Sequence, residues 1–136
     1  MISALDTNVI LDILEGDARF GSVSLAVLRR ASSEGRLIAS TPVWSEVCAA
    51  YHEASEAVRV LEAMTVELVP DDMEVAVAAG TAWRAYRRAG GTRRRVLADF
   101  LIGAHAAIKA DRFVTRDRGF YRTHFAGLSI LDAAAK

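Results

Sequence analysis

The sequence predicts an α/β fold of three layers, in which helices cover both faces of a central, mainly parallel sheet of five strands. Two observations predict it. Short apolar runs alternate along the chain with longer segments whose apolar residues recur at helical spacing. Strands that alternate with helices are typical of parallel sheets, because parallel neighbours must be joined by a crossover. With 136 residues, of which 52% are hydrophobic, the chain can bury a sizeable core, and we expect one domain spanning 1–136.

The five predicted strands are short. They are expected at residues 2–5, 37–39, 65–69, 112–115 and 128–131. The first ends where its apolar run meets Asp6, and the third ends at Pro70. Right-handed crossovers leave few possible strand orders, and we favour 3-2-1-4-5. Strands one and four are then neighbours, so the residues that follow them face each other.

The predicted helices follow from apolar periodicity and from capping residues. A first helix begins directly after Asp6, and a second ends near Gly35. Thr41 is interpreted as an N-cap with Pro42 at the first helical position, and Asp71 as the cap of a long helix. The later helices are expected at about 42–52, 53–63, 71–88, 96–110 and 120–125.

Composition narrows the class of protein. Seventeen acidic and seventeen basic side chains cancel, so the total charge does not argue for a nucleic-acid partner. Cys48 is the only cysteine, which excludes an intramolecular disulfide or a thiolate metal cluster and fits a reducing cytosol. The N-terminus lacks the basic region of a signal peptide, and no apolar run approaches transmembrane length. We therefore expect a cytoplasmic protein that does not bind a membrane.

Asp6 stands where open α/β sheets bind their ligands, at the C-terminal end of the first strand. The alternative is that Asp6 only caps the helix that follows, although one carboxylate can do both. Asn8 is placed to hydrogen-bond a carboxylate and hold its orientation. Its alternative is an exposed polar residue in the first helical turn.

Glu46 falls within the apolar pattern of its helix, three residues after Val43 and four before Ala50. We therefore expect it on or beside the buried face, where an acid without a partner is costly. The alternative to a functional role is an ion pair with one of the many arginines.

Asp99 is the most informative acid. Between residues 96 and 108 the only strongly polar side chains are Asp99 and His105, and a helix that is apolar on every side is buried. A buried acid needs a partner, although capping or the helix dipole is an alternative reason for an acid in a first turn. His105 is interpreted as a packed helix residue.

Asp117 follows the fourth strand in a turn, and turns favour aspartate for local reasons. Thr115 points to the same side of the chain as Asp117, because extended residues alternate. Its hydroxyl is expected to bind either a metal-bound water or a backbone group.

The predicted fold places Asp6, Glu46, Asp99 and Asp117 at one end of one sheet. Like charges so close together repel strongly unless cations neutralise them. Ligands that are all oxygen suit Mg²⁺ or Mn²⁺, and one or two such ions can activate water and clamp a phosphodiester. The sequence has no Walker-type glycine loop, no nucleophile elbow and no zinc-binding spacing of His and Cys.

Four segments resemble the PIN-domain ribonucleases, in family order and near family spacing. They are Leu-Asp-Thr-Asn-Val at 5–9, Ser-Glu at 45–46, Ala-Asp-Phe-Leu-Ile-Gly-Ala-His-Ala at 98–106 and Val-Thr-Arg-Asp at 114–117. The segment from Thr115 to Phe125 is similar to VapC-like toxins of bacterial toxin–antitoxin pairs. The resemblance spans nearly the whole chain.

This resemblance implies a PIN-like form of the predicted fold and a Mg²⁺- or Mn²⁺-dependent endoribonuclease that is the toxin of a toxin–antitoxin pair. By position it implies an acidic catalytic set with two polar helpers, namely Asp6, Glu46, Asp99 and Asp117 with Asn8 and Thr115. The metal ligands among them are Asp6, Asp99 and Asp117. The resemblance also implies a homodimer and an antitoxin that fills the acidic groove.

Arginines near these acids are candidates for contact with RNA phosphate or with an acidic stretch of the antitoxin. They are Arg93, Arg94 and Arg95, directly before the apolar helix, and Arg116 after the fourth strand. A solvated loop is the alternative for the first three, and an arginine-rich chain can also reflect the base composition of its genome.

Three other classes of protein are alternatives. A receiver-like phospho-switch also has five strands and acids at strand ends, but it needs a lysine after the last strand, and Lys136 does not fit. A haloacid-dehalogenase-type phosphatase needs a second aspartate two residues after the first, where this chain has Asn8. A non-catalytic PIN-like module that binds RNA or protein is the serious rival.

Overall fold

The computed structural model describes residues 1–134, and within them five strands form one parallel sheet. The strands are β1 (Ile2–Leu5), β2 (Arg36–Ala39), β3 (Val66–Leu68), β4 (Arg112–Thr115) and β5 (Ile130–Asp132). Their order is β3-β2-β1-β4-β5, which confirms the predicted order. Because every pair is parallel, the carboxyl ends of all five strands lie along one edge. Lys136, whose position argues against a receiver-like fold, lies outside the described residues.

Over the same residues, seven helices connect the strands. They are α1 (Thr7–Leu14), α2 (Gly21–Glu34), α3 (Thr41–Ala49), α4 (Ala54–Ala63), α5 (Met73–Arg88), α6 (Leu97–Lys109) and α7 (Arg118–His124). The most extensive packing between two helices is that of α5 against α6. No helix in the described part of the chain is long and apolar enough to span a bilayer.

The central strand β1 and its neighbour β4 are buried on both faces. Ser3, Ala4 and Leu5 of β1 are all buried, and so is every residue of β4. Successive strand residues point to opposite sides, so burial of consecutive residues means that helices cover both faces of the sheet. This is the three-layer arrangement that the sequence predicted.

Two predicted caps are displaced by one residue. α3 begins at Thr41 itself and its N-cap is Ser40, so the interpretation of Thr41 as the cap is wrong. α5 is capped by Asp72, whose side chain accepts the N–H of Val75 at 3.0 Å, and the assignment of this cap to Asp71 is also wrong. In both places two polar residues stand side by side, and the one with the extended backbone directly before the first turn takes the cap position.

His105 packs inside the protein, as predicted. Only 1% of its surface is exposed, and its Nε2 lies 2.8 Å from the carbonyl oxygen of Val69. Burial lowers the pKa of the imidazole, and this effect is larger than the opposing rise caused by the hydrogen bond to Val69. His105 therefore ties α6 to the loop after β3.

Candidate functional site

The carboxyl ends of β1 and β4 lie side by side and open into a cavity of about 370 Å³. All four predicted acids line this acid cavity, namely Asp6, Glu46, Asp99 and Asp117. Each comes from a different element, because two follow strands, one lies in α3 and one lies in the first turn of α6. The strand order therefore gathers acids that are far apart in the sequence.

Asp6 is held by three hydrogen bonds in a nearly buried position, with 6% of its surface exposed. Its Oδ1 accepts the backbone N–H of Thr7 at 2.8 Å, so Asp6 is the N-cap of α1. Its Oδ2 accepts from Thr115 Oγ1 at 2.7 Å and from Asn8 Nδ2 at 3.2 Å. The predicted contact between Asn8 and a carboxylate is therefore present, and the carboxylate of Asp6 has a fixed orientation.

The negative charge of Asp6 is costly in this position. Burial is the largest cause that raises the pKa of the Asp6 carboxyl from 3.8 to about 6, and the hydrogen bonds that it accepts act in the opposite direction. The carboxylates of Glu46 and Asp117 add to the rise. Asp6 therefore experiences the negative charge of these two acids across the cavity.

Thr115 links the two strand ends. It is fully buried, its Oγ1 donates to Asp6 Oδ2, and the same oxygen accepts the backbone N–H of Asp117 at 3.0 Å. Of the two predicted partners of this hydroxyl, the backbone group is present as the N–H of Asp117. The hydroxyl also binds the carboxylate of Asp6, which was not predicted. The hydroxyl therefore fixes the backbone of Asp117 against the side chain of Asp6.

Glu46 is exposed, so the prediction that it lies on or beside the buried face of its helix is wrong. α3 ends at Ala49, earlier than expected, and its buried side is limited to Val43 and Val47. Glu46 instead lines the acid cavity as an exposed residue, and its Oε1 accepts from Thr7 Oγ1 at 2.7 Å. Within residues 1–134 Glu46 has no ion pair with an arginine.

Asp99 is half-buried, and the expected burial of its helix on every side is wrong at the first turn. Val96 and Leu97 are 55% and 39% exposed, and continuous burial begins only near Phe100, because the chain enters α6 from an exposed loop. Asp99 Oδ2 accepts the N–H of Val96 at 3.0 Å. The capping alternative therefore holds for this oxygen, while the residue also lines the cavity.

Asp117 is half-buried and forms an ion pair with Arg95, whose Nη1 lies 2.7 Å from Asp117 Oδ2. The guanidinium of Arg95 also lies 4.2 Å from the ring centroid of Phe120. Arg93 and Arg94 are exposed and line other hollows, so of the three adjacent arginines only Arg95 reaches the acid cavity.

Three further acids line the cavity, Asp12, Glu15 and Asp17, and the sequence analysis missed all of them. Asp12 is the one whose contacts reach an arginine predicted to be functional. It is buried, and both of its oxygens accept from Arg116, at 2.8 Å from Nε and 3.3 Å from Nη2. Arg116, a candidate contact for RNA or antitoxin, is thus bound to the protein itself. The available signal was spacing, since Asp12 lies four residues after Asn8 and hence on the same face of α1.

Tyr121 is a non-acidic residue of the site that the sequence analysis also missed. It lines the cavity and is only 2% exposed. Burial raises the pKa of its phenol, and the carboxylates of Asp6, Asp99 and Asp117 raise it further. The hydroxyl therefore stays protonated beside the acids. An aromatic residue in a short helix carries no sequence signal that separates a core position from a site position.

The cavity offers oxygen ligands to a metal, although they do not yet form a coordination sphere. In the described residues no three His, Cys, Asp or Glu side chains are close enough together to hold an ion. Asp117 is paired with Arg95, and both oxygens of Asp6 accept hydrogen bonds. The described residues that line the cavity offer oxygen donors, mainly carboxylates, and include no sulfur or imidazole. This donor set fits Mg²⁺ or Mn²⁺.

A model of the PIN domain family matches residues 4–126. The chain belongs to the PIN domain family. PIN domains are generally nucleases, and those nucleases typically use divalent metal ions. The match covers all four predicted acids of this PIN domain. No curated protein matches the chain at a significant level.

Solved structures confirm the PIN-like fold. VapBC-1 from nontypeable Haemophilus influenzae is similar with a TM-score of 0.75 and 17% identity, over 99% of this chain and 100% of that one. VapBC2 from Rickettsia felis, bound to a DNA fragment from its promoter, gives 0.72 and 16%, over 97% and 98%. A toxin–antitoxin complex from Klebsiella pneumoniae gives 0.66 and 18%, over 96% and 97%. At these identities the likeness is one of fold.

Proposed function

We propose that this PIN domain is a divalent-metal-dependent endoribonuclease that acts in the cytoplasm as the toxin of a toxin–antitoxin pair. The observation that carries the proposal is the convergence of Asp6, Glu46, Asp99 and Asp117 on one cavity at the carboxyl edge of β1 and β4. Membership of a family whose members are generally nucleases supports the reaction class.

Mg²⁺, with Mn²⁺ as a substitute, is the cofactor whose chemistry fits these carboxylates, as one or two ions. Asp6, Asp99 and Asp117 would hold it. When bound, the metal supplies a Lewis acid for phosphodiester oxygens and an activator of water. Asp117 Oδ2 pairs with Arg95 in this structure, so a metal held by that oxygen would displace the guanidinium.

The chain's own residues orient a metal ligand, accept a proton and donate a hydrogen bond at this site. Thr115 and Asn8 hold the Asp6 carboxylate in one orientation, which is the usual task of side chains behind a metal ligand. Glu46 is exposed at the cavity and is the acid we propose as proton acceptor for the attacking water. The protonated Tyr121 hydroxyl is a hydrogen-bond donor for an anionic substrate.

An antitoxin protein is the proposed partner, and a homodimer is the proposed assembly. The solved structures similar to this PIN domain include two VapBC complexes and a toxin–antitoxin complex. An acidic cavity beside exposed arginines provides charges of both signs for a protein that covers the site.

The test is RNA cleavage by the purified protein, free of any antitoxin. We expect cleavage with Mg²⁺ or Mn²⁺, none with EDTA, and a loss of at least about a hundredfold for Asp99→Asn, since a missing metal ligand removes the transition-state stabilisation that it supports. Glu62→Gln is the matched control, an exposed acid of α4 away from the cavity.

Circular dichroism checks that each variant is folded. A folded wild type that binds RNA without cutting it under any metal condition would instead support the rival function, a non-catalytic module. Full activity of Asp99→Asn would remove that residue from the metal ligands.

A further inference from the structure

A strongly basic stretch of sequence adjoins the acid cavity. Residues 75–98 contain no Asp or Glu, although acids make up 17 of the 136 residues of the chain. The same stretch contains six arginines, namely Arg84, Arg87, Arg88, Arg93, Arg94 and Arg95. A chain with no net charge thus carries a local excess of six positive charges at the end of α5 and in the loop that follows.

Most of these arginines are free to bind a ligand. Among these six arginines, and within residues 1–134, only Arg95 is in an ion pair, and the other five are exposed without a carboxylate within 4.0 Å. An arginine that neutralises a neighbouring acid has little charge left to attract a ligand, whereas the charges of these five are not neutralised in this way. Their side chains also carry forks of donors that suit phosphate oxygens.

Surface hollows connect these arginines to the acid cavity. Arg95 lines both the acid cavity and a neighbouring hollow of about 400 Å³. Trp83 and Arg87 line that hollow and also a third one of about 570 Å³, together with Arg84 and Arg88. Hollows that share wall residues are adjacent, so a continuous path leads from the cavity along the last turns of α5. We call this path the arginine track, lined by Trp83, Arg84, Arg87, Arg88, Arg93 and Arg95.

The loop that carries Arg93 and Arg95 is fixed to α5 by Tyr86. The Tyr86 hydroxyl donates to the carbonyl oxygen of Thr92 at 2.7 Å, and the N–H of Gly91 donates to the Tyr86 carbonyl at 2.9 Å. A Cβ at Gly91 would lie 2.4 Å from the Tyr86 ring, so only glycine lets the loop lie this close. The track therefore has a built wall beside the cavity.

Trp83 supplies a flat aromatic surface in the middle of the track. It is half-buried, and the guanidinium of Arg87 lies 5.0 Å from its ring centroid. A basic groove that contains aromatic rings is the arrangement that binds single-stranded nucleic acid, because phosphates pair with the arginines while unpaired bases stack on the rings. Bases inside a duplex are not free to stack in this way.

We propose that the arginine track binds single-stranded RNA and leads it to the acid cavity, with Trp83 as the stacking platform for one base. The inference rests on the proposed function for what happens at the end of the track. Binding along the track itself needs no metal and no cleavage, so the two proposals fail separately.

The first measurement is fluorescence anisotropy with a labelled single-stranded RNA of twelve nucleotides (about the upper part of the range that such sites cover) in EDTA. Arg84→Gln combined with Arg88→Gln removes two charges at the end farthest from the acids. We expect binding weaker by on the order of tenfold at moderate salt and a salt slope smaller by about 1.4, since each single-strand phosphate contact contributes about 0.7. The control is Arg29→Gln combined with Arg59→Gln, two exposed arginines of α2 and α4.

The control pair changes the total charge equally and is expected to have less than about a threefold effect. Equal losses in the two variants would overturn the track, because RNA would then respond only to net charge. An unchanged salt slope in the track variant would overturn it as well.

The second measurement follows Trp83 directly. The chain has two tryptophans, so in a Trp44→Phe background Trp83 is the only one, and a base stacked on it quenches its fluorescence. We expect quenching by single-stranded RNA, a loss of RNA affinity in Trp83→Leu and its recovery in Trp83→Phe. No quenching, or a Phe variant no better than the Leu variant, would overturn the stacking role.

Two further outcomes separate the alternatives. A poly-glutamate peptide that binds more tightly than RNA and depends on the same arginines would make the track a surface for an acidic protein and would overturn the RNA assignment. A wild type that binds RNA through the track but never cuts it would refute the nuclease proposal alone. Metal-dependent cleavage that is indifferent to the Arg84 and Arg88 changes would refute only the track.

Discussion

The ion pair between Arg95 and Asp117 joins the two oppositely charged surfaces of the molecule. Arg95 Nη1 lies 2.7 Å from Asp117 Oδ2, and about a third of each side chain is exposed. Arg95 belongs to the arginine track, and Asp117 belongs to the acid cavity. The track therefore neutralises one carboxylate of the site.

Arg95→Gln is expected to bind Mn²⁺ more tightly than wild type, by up to about fivefold. An ion pair with this exposure stabilises by up to about 1 kcal/mol, and the metal no longer has to displace it. Isothermal titration calorimetry of both proteins measures the difference. Arg93→Gln, an exposed arginine outside the acid cavity, is the control and should leave the affinity unchanged. Weaker Mn²⁺ binding by Arg95→Gln would show that Arg95 helps to form the site.

Asp6→Asn should abolish cleavage and yet stabilise the metal-free fold at neutral pH. The pKa of Asp6 rises from 3.8 to about 6 on folding. Ionisation of this group therefore lowers the free energy of unfolding by at most about 3 kcal/mol. Because the folded-state pKa is the higher one, wild type is most stable below about pH 4 and loses this stability as pH rises through 6. The advantage of the Asn variant in EDTA should therefore appear between these two values.

Urea denaturation at pH 4, 5, 6 and 7.5 measures the Asp6→Asn difference. Mg²⁺ should stabilise wild type through binding and the Asn variant much less. Parallel pH profiles together with equal responses to Mg²⁺ would mean that Asp6 acts mainly as the helix cap.

His105 should make the protein less stable in mild acid. Burial holds the pKa of its imidazole below the usual 6.5, so the unfolded chain takes up a proton that the folded state resists. Its contribution is complete above about pH 6.5 and is lost as pH falls through the folded-state pKa. The stability gap between wild type and His105→Gln should narrow from pH 8 to pH 5. A gap that stays constant over this pH range would contradict the burial effect on His105.

Asp12 and Arg116 should be coupled in stability. Asp12 is 4% exposed and both of its oxygens accept from Arg116, which also lies 4.4 Å from the ring centroid of Phe20. Asp12→Ala should cost about 1–3 kcal/mol, because it removes the partner of a charged group that is only a third exposed. In a double-mutant cycle with Arg116→Ala, the loss should be well below the sum of the single losses. Additive losses would contradict the pairing.

Gly103 and Gly80 should respond in opposite ways to the same substitution. A Cβ at Gly103 of α6 would lie 2.3 Å from the ring of Phe125, so Gly103→Ala should cost about 1–3 kcal/mol by overpacking. Gly80 of α5 has open space around it, so Gly80→Ala should stabilise by up to about 1 kcal/mol through helix propensity. Urea midpoints of the two variants decide the matter. A stabilising Gly103→Ala would show that Phe125 can move at little cost.

The sequence predicted the approximate extent of most elements, because apolar periodicity is visible within each segment. It also predicted the sheet order, because right-handed crossovers leave few orders possible. Element ends were less certain, as at Ser40 and Thr41, where two adjacent polar residues could each serve as the cap. Such a choice depends on backbone angles that the sequence does not reveal.

The site was predictable as a group of acids but not in its details. The exposure of Glu46 depends on where α3 ends, which apolar spacing alone does not fix. The pairings of Arg95 with Asp117 and of Arg116 with Asp12 arise from tertiary contacts between separate segments. Arginines are long and numerous in this chain, so no spacing rule identifies which of them meets which acid.

β1, the first of the five strands in chain order, is the central strand of the sheet. The N–H of Asp6 donates to the carbonyl oxygen of Val114 at 2.9 Å, and its carboxylate accepts from Thr115, a partner 109 residues later. A nascent chain therefore holds Asp6 without a site until β4 has left the ribosome. For the nuclease proposed above, translation that stops before β4 yields a harmless fragment, because the partners that orient Asp6 have not yet been made.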